Sequence, residues 1–400
     1  MPAVINRLLR PLGLELRRLS PKRQRTATVA APGPARGRVL LSYILDPFLV
    51  DDPSQISHAH THDWECWQMA ATFAARGFDV DIVQFDDTNF VPKENYQILV
   101  SARTDLERLA RHLPDDCLKI AHLDTAHFLT NNAGALDRLV TARDRHGCAL
   151  RNSRMVEENW AIEAADMGCV LGNEFTAQSY RYAGKPIHRI RISSPEVYDW
   201  PENKDFGRVR RSFLWFGSGG LVHKGLDRVL AVFSELPDYH LTVCGPIAEE
   251  FRFNKAFQKE LYETPNIKTV GWVDVASKDF TDIAAQHVGT VYVSASEGGG
   301  GSTLTCMHAG LIPIVTEATS VDIGDFGLLC PNAELETVRA TVKEVAAMDE
   351  NELRRRARGA WKFARENHTR DAFASDYAAF VDGIVLPALA DRNPHGRKSG

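Results

Sequence analysis

Short apolar runs alternate with longer amphipathic stretches along most of the chain, beginning near residue 39. Apolar runs bounded by turn residues indicate buried parallel strands, and the amphipathic stretches between them have the spacing of helices. In the first half, the predicted strands are 39–43, 80–85, 98–101, 118–122 and 169–171. The series restarts in the second half, with predicted strands at 213–216, 240–244, 267–270, 288–293 and 312–315.

This alternation predicts an α/β fold with two Rossmann-like, doubly wound domains. We expect one domain over 39–200 and the other over 201–368, joined by a polar hinge near 200–211. Three of the predicted helices are 64–76, which ends at Gly77, 226–236 and 276–286. A last helix over 369–386 carries an apolar stripe that needs a partner surface, and Pro387 is expected to end it.

Composition and charge are those of an ordinary globular protein. The 400 residues are 44% hydrophobic and 25% charged, and we find no apolar run of the roughly 18 residues that a membrane span requires. The net charge of −5 argues against a general nucleic-acid binder. Seven scattered cysteines without a C-x-x-C pair indicate a reduced chain, and with no secretory signal we expect a cytoplasmic protein.

Residues 1–38 differ from the rest, with nine Lys or Arg against the single Glu15. They end in the sequence APGPARG, which is typical of a linker. Leucines alternate with arginines in this arm. A short helix docked on an anionic membrane surface is therefore one interpretation, and a disordered basic tail is the other.

The sequence FGSGGLVHKGLDRVL, at 216–230, combines a strand end, a glycine-containing turn and a lysine before a helix. Backbone N–H groups of Gly219 and Gly220 and the ammonium of Lys224 would suit an anion at a helix N-terminus. The segment matches neither the P-loop nor the dinucleotide fingerprint. A plain turn between strand and helix is the alternative.

A second strand, glycine-rich turn and helix follow at 291–315, in VYVSASEGGGGSTLTCMHAGLIPIV. The candidate donor-binding groups there are the N–H groups and hydroxyls of Gly298, Gly299, Gly300, Gly301, Ser302 and Thr303, which would suit a diphosphate. Glu297, just before them, can accept hydrogen bonds from sugar hydroxyls. A flexible linker is the alternative.

Together, GSGGLVHKG and SEGGGGSTLTCMHAGLIPIV resemble the donor-binding half of GT-B glycosyltransferases of the family 4 type, over about 212–366. The resemblance implies that Lys224 neutralises the donor diphosphate and that Glu297, the first acid of an E-x7-E signature, contacts the transferred sugar. The resemblance also implies that the sugar is transferred from the front face, with retention at the anomeric carbon. It further implies that the last helix, over 369–400 with its tail, packs back on the first domain. Two family positions differ: Thr305 replaces the second acid, and Gly219 replaces an arginine.

Three further residues are interpreted through this resemblance. Glu317 and Asp322, after the next strand, are candidates to reach the nucleotide in place of the missing acid. The resemblance implies that Trp272 borders the nucleotide base, but we favour the interpretation that it packs in the core.

The first half should hold the acceptor, and its candidates follow strands. His127 and Asp124 are the candidate catalytic residues, because similar enzymes place a histidine or aspartate there against the donor sugar or the acceptor hydroxyl. The sequence HAHTHDWE, at 58–65, predicts that His62, Asp63 and Glu65 face the cleft, with Asp63 as helix N-cap. A metal site in this segment is disfavoured, because further ligands are not identifiable.

Two other polar sequences follow or begin strands in this half. Asn173 and Glu174 are candidates to close the cleft. Asp79 and Asp81 form a D-x-D, which alternation along the strand explains as a solvent face.

We therefore expect a retaining glycosyltransferase that moves a sugar from a nucleotide-diphosphate sugar to a glycan or lipid-linked acceptor. Bacterial surface polysaccharide synthesis is the expected setting, at the inner face of the membrane, with no nucleic-acid partner, no cofactor and no metal. A nucleotide-sugar 2-epimerase of the same fold and a non-catalytic sugar-binding or assembly protein are the alternatives.

Overall fold

The computed structural model describes residues 26–392, apart from residues 59, 103 and 152. The docking helix expected within the basic arm falls on residues 1–25 and lies outside the described residues. Within the described part, the chain builds two mostly parallel sheets, each covered by helices.

The first sheet has the strand order β1-β3-β2-β4-β5-β6-β7, and only β1 is antiparallel to its neighbour. Its inner strands are buried on both faces, which explains their continuous apolar character. The strands and α-helices of this domain are β1 (Thr26–Val29), β2 (Gly37–Tyr43), α1 (Thr61–Ala74), β3 (Phe78–Gln84), β4 (Ile98–Ala102), α2 (Leu106–Ala110), β5 (Leu118–Leu123), α3 (Phe128–His146), α4 (Ala161–Ala164), β6 (Met167–Val170), α5 (Glu174–Gln178) and β7 (Ile187–Arg189).

The second sheet is parallel throughout, in the order β10-β9-β8-β11-β12-β13. Strands β8 and β11 are neighbours, so the turns that follow them leave the sheet side by side. The elements are α6 (Phe206–Val209), β8 (Ser212–Phe216), α7 (Leu226–Ser234), β9 (His240–Cys244), α8 (Phe251–Ala256), α9 (Gln258–Tyr262), β10 (Ile267–Gly271), α10 (Lys278–Ala285), β11 (Gly289–Tyr292), α11 (Gly301–His308), β12 (Ile312–Thr316), β13 (Leu328–Cys330) and α12 (Leu335–Ala347).

The expected start of the first domain, at residue 39, is wrong. Residues 26–29 form edge strand β1, which pairs with β3, and residues 30–36 connect β1 to β2. Thr28 Oγ1 donates to Asp81 Oδ1 at 2.7 Å, which fixes the pairing. A four-residue strand next to a basic segment carries too little pattern to be recognised in the sequence.

The segment expected to form a polar hinge is packed instead. Trp200 and Phe206 are buried in the core of the second domain, and the ammonium of Lys204 donates to the carbonyl of Gly310 at 3.1 Å. Because these side chains anchor the connection, residues 200–211 belong structurally to the second domain.

The C-terminal helices return to the first domain. Helix α13 (Glu350–Asn367) is followed by α14 (Arg370–Phe380), which packs against α1, and Tyr377 meets Phe73 of α1 edge to face. The helical run 370–392 is long and apolar enough to cross a membrane, with a mean hydropathy of 1.3. Its aromatic face is nevertheless buried in the core of the first domain.

Pro387 does not end this helix, contrary to expectation. One π-helical turn (Val381–Val385) precedes α15 (Leu386–Arg392), and Pro387 lies in the first turn of α15. The helical run is continuous here, and the wider π-helical turn, in which Leu386 N donates to the carbonyl of Val381, directly precedes the proline.

Candidate active site

The site is a cleft between the two domains, at the carboxyl ends of the strands of both sheets. Its cavity has a volume of about 1180 Å³ and is lined by residues of both domains. Ligands of doubly wound folds bind at this end of the sheet. The wall from the second domain is built by the turns after β8 and β11, and we call it the donor wall. The opposite wall, from the first domain, is the acceptor wall.

The lysine turn and the glycine turn meet on the donor wall. Ala295 N donates to the carbonyl of His223 at 2.8 Å, and His223 Nε2 contacts the carbonyl of Ser296 at 2.6 Å. Lys224 Nζ lies 2.8 Å from Glu297 Oε1. The two turns thus form one unit, because β8 and β11 are adjacent strands.

Tyr292 and Ser294 complete the cluster. Lys224 Nζ donates to the Tyr292 hydroxyl at 2.5 Å, which donates in turn to Glu297 Oε1 at 2.9 Å. Ser294 Oγ donates to the same carboxylate oxygen at 3.0 Å. The sequence did not identify Tyr292 as a site residue, since a tyrosine at the end of an apolar strand is indistinguishable from core.

The cluster is buried and charged, which is costly unless the charges are paired. Although burial raises the pKa of Glu297, Lys224 and Arg154 outweigh it and lower that pKa to about 2. Burial lowers the pKa of His223 to about 4. At neutral pH, Glu297 is therefore ionised and His223 is neutral.

The four glycines have different surroundings. Gly298, Gly300, Gly301 and Ser302 line the cleft, whereas Gly299 packs on Ile192 of the first domain. A Cβ on Gly298 would lie only 2.0 Å from the carbonyl oxygen of Asp124. At Gly298, the glycine is needed because the two domains touch there.

Gly219, Gly220 and Thr303 do not lie where the sequence predicted. The N–H groups of Gly220 and Leu221 donate to Glu250 Oε1, the second at 3.1 Å, and Gly219 and Gly220 do not line the cleft. Thr303 is buried behind the first turn of α11. A carboxylate of this chain, rather than a ligand, satisfies the amides of the lysine turn.

Arg154 belongs to the first domain, yet it reaches the donor wall. Its Nη2 lies 3.9 Å from Glu297 Oε2, and its side chain lies against Gly220. Nothing in the sequence distinguishes it, because a lone arginine in an irregular segment carries no pattern.

The two candidate catalytic residues of the first domain are placed differently. Asp124 lines the cleft and accepts from the Tyr43 hydroxyl at 3.1 Å. His127 lies outside it: Nδ1 accepts from Leu129 N as the cap of α3, and Nε2 lies 3.0 Å from the Tyr182 hydroxyl. The structure therefore gives His127 a capping role.

In the segment 58–65, the predicted orientation is correct in part. His62 and Asp63 line the cleft, but the buried Glu65 does not, and it accepts from Ser193 N at 2.7 Å. The N-cap of α1 is His60, not Asp63, which lies in the first turn. Within the described residues, we find no group of three or more His, Cys, Asp or Glu able to hold a metal ion.

Trp272 and the candidates after β12 also depart from expectation. Trp272 is 55% exposed and lines the cleft, so the core-packing interpretation is wrong. Glu317 is exposed outside the cleft, and Asp322 is paired at 2.8 Å with Arg189 of the first domain. Thr305, at the position of the missing acid, does line the cleft.

The remaining polar candidates serve the structure. Asn173 caps α5 through Phe175 N at 3.0 Å and also accepts from Ser320 Oγ of the second domain at 3.0 Å, so it joins the two domains, whereas Glu174 pairs with Arg181 at 2.5 Å. In the D-x-D, Asp81 is buried and accepts from Arg38 Nη1 at 2.8 Å, so the expected solvent face is wrong.

The fold is that of the GT-B glycosyltransferases, as predicted. The structure is similar to sucrose-phosphate synthase from Thermosynechococcus elongatus, with a TM-score of 0.60 and 13% identity over 88% of this chain and 99% of that one. It is also similar to HepE from Anabaena, solved with UDP and glucose, with a TM-score of 0.53 and 11% identity over 87% and 100% of the two chains.

A third similar structure is WaaG, a glycosyltransferase involved in lipopolysaccharide biosynthesis, with a TM-score of 0.51 and 13% identity over 86% of this chain and 100% of WaaG. The chain spans about half of the length of TarM, of which it matches 54%. No protein-family model and no curated protein sequence matches the chain. At these identities, the likeness establishes the fold.

Proposed function

We propose that this protein is a retaining glycosyltransferase that moves a sugar from a nucleotide-diphosphate sugar to a glycan or lipid-linked acceptor. The observation that carries the proposal is the buried Lys224–Glu297 pair, at 2.8 Å, where two turns of a GT-B fold meet on the cleft. The buried ammonium suits a phosphate, and the carboxylate beside it suits sugar hydroxyls. The pair therefore fits a nucleotide sugar, in which a phosphate is bonded to a sugar.

The chemical problem in such a transfer is the leaving group. The bond between the anomeric carbon and the phosphate oxygen breaks, a bond to the acceptor oxygen forms on the same face, and the acceptor proton passes to the departing phosphate. Negative charge develops on that phosphate, and fixed donors in a cleft with little water stabilise it most strongly. Lys224 and the N–H groups of Gly301 and Ser302, at the start of α11, are such donors, so the proposal needs no metal.

The sugar would lie between the walls. Glu297 would accept hydrogen bonds from its hydroxyl groups, and Asp124, across the cleft, would contact the acceptor hydroxyl. The indole of Trp272, exposed at the same cleft, offers a surface against which a nucleotide base can stack.

The proposed setting is synthesis of a bacterial surface polysaccharide, on the cytoplasmic face of the membrane. WaaG provides support, as a protein of this fold involved in lipopolysaccharide biosynthesis. The nine basic residues of the segment 1–38 and the seven free cysteines agree with a reduced protein near anionic lipid.

The decisive experiment measures donor binding and transfer with and without Lys224. Nucleotide sugars are first screened by thermal shift, and isothermal titration then gives the affinity for the nucleoside diphosphate of each hit. We expect Lys224→Ala to weaken that affinity by about 100-fold, since it removes a charged partner of the phosphate. Unchanged affinity would contradict the assignment.

A control is needed, because removing one partner of a buried ion pair costs about 3–5 kcal/mol of stability. The double variant Lys224→Met with Glu297→Gln removes both charges, and it should fold and still fail to bind. In acceptor assays, release of nucleoside diphosphate that requires acceptor supports transfer. Sugar isomerisation without acceptor would indicate an epimerase, and binding without turnover a non-catalytic protein.

A further inference from the structure

The charges of the donor wall do not suffice for its proposed ligand. The ammonium of Lys224 is paired with the carboxylate of Glu297 at 2.8 Å, so the two together carry no net charge, and the carboxylate of Glu250 adds a negative charge at the amides of the lysine turn. His223 is neutral, because burial lowers its pKa to about 4. A nucleoside diphosphate brings about two or more negative charges, which a neutral pair balances poorly.

Arg154 supplies the additional positive charge. Its Nη2 lies 3.9 Å from Glu297 Oε2, and its side chain, 44% exposed, also lines the cleft. The guanidinium therefore lies beside the cluster on the side open to a ligand.

Two features hold Arg154 in this place. Asn131 and Asn132 of α3 fix its backbone segment: Asn131 Nδ2 donates to the carbonyl of Arg154, and Asn132 Nδ2 to that of Val156, both at 2.8 Å. Gly220 makes room for the side chain, since a Cβ there would lie 2.3 Å from Arg154 Cγ. Gly220 also has a φ of 92°, which other residues rarely adopt.

We propose that Arg154 is a diphosphate-binding residue, which reaches across from the first domain to complete the donor site formed by Lys224. This inference rests on the proposed function and identifies a residue of that site. A guanidinium can bind two phosphate oxygens at once, whereas an ammonium acts as a point charge. Because Arg154 belongs to the opposite domain, the bound diphosphate would also hold the two domains together.

The test is isothermal titration of the full chain with inorganic pyrophosphate and with UDP, GDP, ADP, CDP and dTDP. We expect Arg154→Ala to weaken diphosphate affinity by roughly 10- to 100-fold, the usual effect of losing a hydrogen bond to a charged group. Arg154→Lys should recover part of the affinity. The matched control is Arg143→Ala, an exposed arginine of α3 that pairs with Asp144 and lies outside the cleft lining, which we expect to change affinity by less than about 2-fold.

A second variant separates the charge of Arg154 from its packing. Arg154→Met keeps an unbranched side chain against Gly220 but removes the guanidinium, and it should bind diphosphate as weakly as Arg154→Ala. Equal affinities of Arg154→Ala and Arg143→Ala would overturn the inference, whereas a wild-type chain that binds no diphosphate would overturn the proposed function itself.

Discussion

The two walls of the cleft are built in different ways. On the donor wall, Lys224, Tyr292 and Glu297 are buried and hydrogen-bonded to one another, and each comes from the end of a strand or from the turn directly after it. On the acceptor wall, the polar groups are spread over several segments. His58 pairs with Glu196 at 2.6 Å, and Asp124 accepts from Tyr43 at 3.1 Å.

This difference suggests that the two walls have different functions in the proposed reaction. A closed network holds its donors in place before a ligand arrives, so no reorganisation is needed when charge develops on the leaving group. Groups that are not tied into one network can accommodate acceptors of different shape. We expect changes on the donor wall to impair every reaction of the protein, and changes on the acceptor wall to depend on the acceptor.

The largest expected effect comes from Glu297→Gln. The substitution keeps the shape but removes the charge that orients the sugar and holds Lys224. We expect kcat to fall by about 100- to 1000-fold, the range for removal of one fixed group that stabilises a transition state. Affinity for the nucleoside diphosphate should not weaken, since Glu297 repels a phosphate.

Steady-state kinetics and titration on the same preparation separate the two effects. The matched change on the other wall is Asp124→Asn, also a carboxylate replaced by its amide, for which we expect about a 10-fold loss in acceptor kcat/KM and unchanged donor affinity. If Glu297→Gln lowers kcat and diphosphate affinity by the same factor, Glu297 holds the turn together and does not act on the sugar.

The same contrast explains what the sequence could predict. Strands β2, β4, β5 and β9 and the two turns of the donor wall follow a strand, turn and helix pattern, which can be recognised from residues adjacent in sequence. Lys224 and Glu297 could be assigned to one donor site, because each follows a strand of one parallel sheet, but the ion pair between them was not predicted. Short edge strands such as β1 and β7 carry too few residues for a pattern.

Residues that depend on contacts distant in sequence could not be predicted. Arg154 reaches Glu297 across 143 positions, and the carboxylate of Glu250 occupies amides that the turn alone would offer to a ligand. His127 shows the opposite error. Its position after β5 suggested catalysis, but the helix that begins there needs a cap, and the ring nitrogen supplies it.

The smallest expected effect is the pH dependence of donor binding. Between pH 5 and 8, Glu297 stays ionised and His223 stays neutral, because their pKa values are about 2 and about 4. The diphosphate of a nucleotide sugar does not titrate in this range either. We expect its dissociation constant, measured by titration at several pH values, to change by less than about 2-fold, since neither Glu297 nor His223 changes charge. Burial lowers the pKa of Lys224, but the ionised Glu297 beside it opposes that shift and favours the charged ammonium.

The acceptor wall should behave differently. Burial raises the pKa of Asp63, so its carboxyl group loses its proton at a higher pH than an exposed aspartate does. If the acceptor needs that carboxylate, kcat/KM for the acceptor at saturating donor increases with pH, and Asp63→Asn abolishes the increase. A donor affinity that changes 10-fold over the same range, together with a flat acceptor profile, would reverse the assignment of the two walls, because the titrating group would then lie beside the diphosphate.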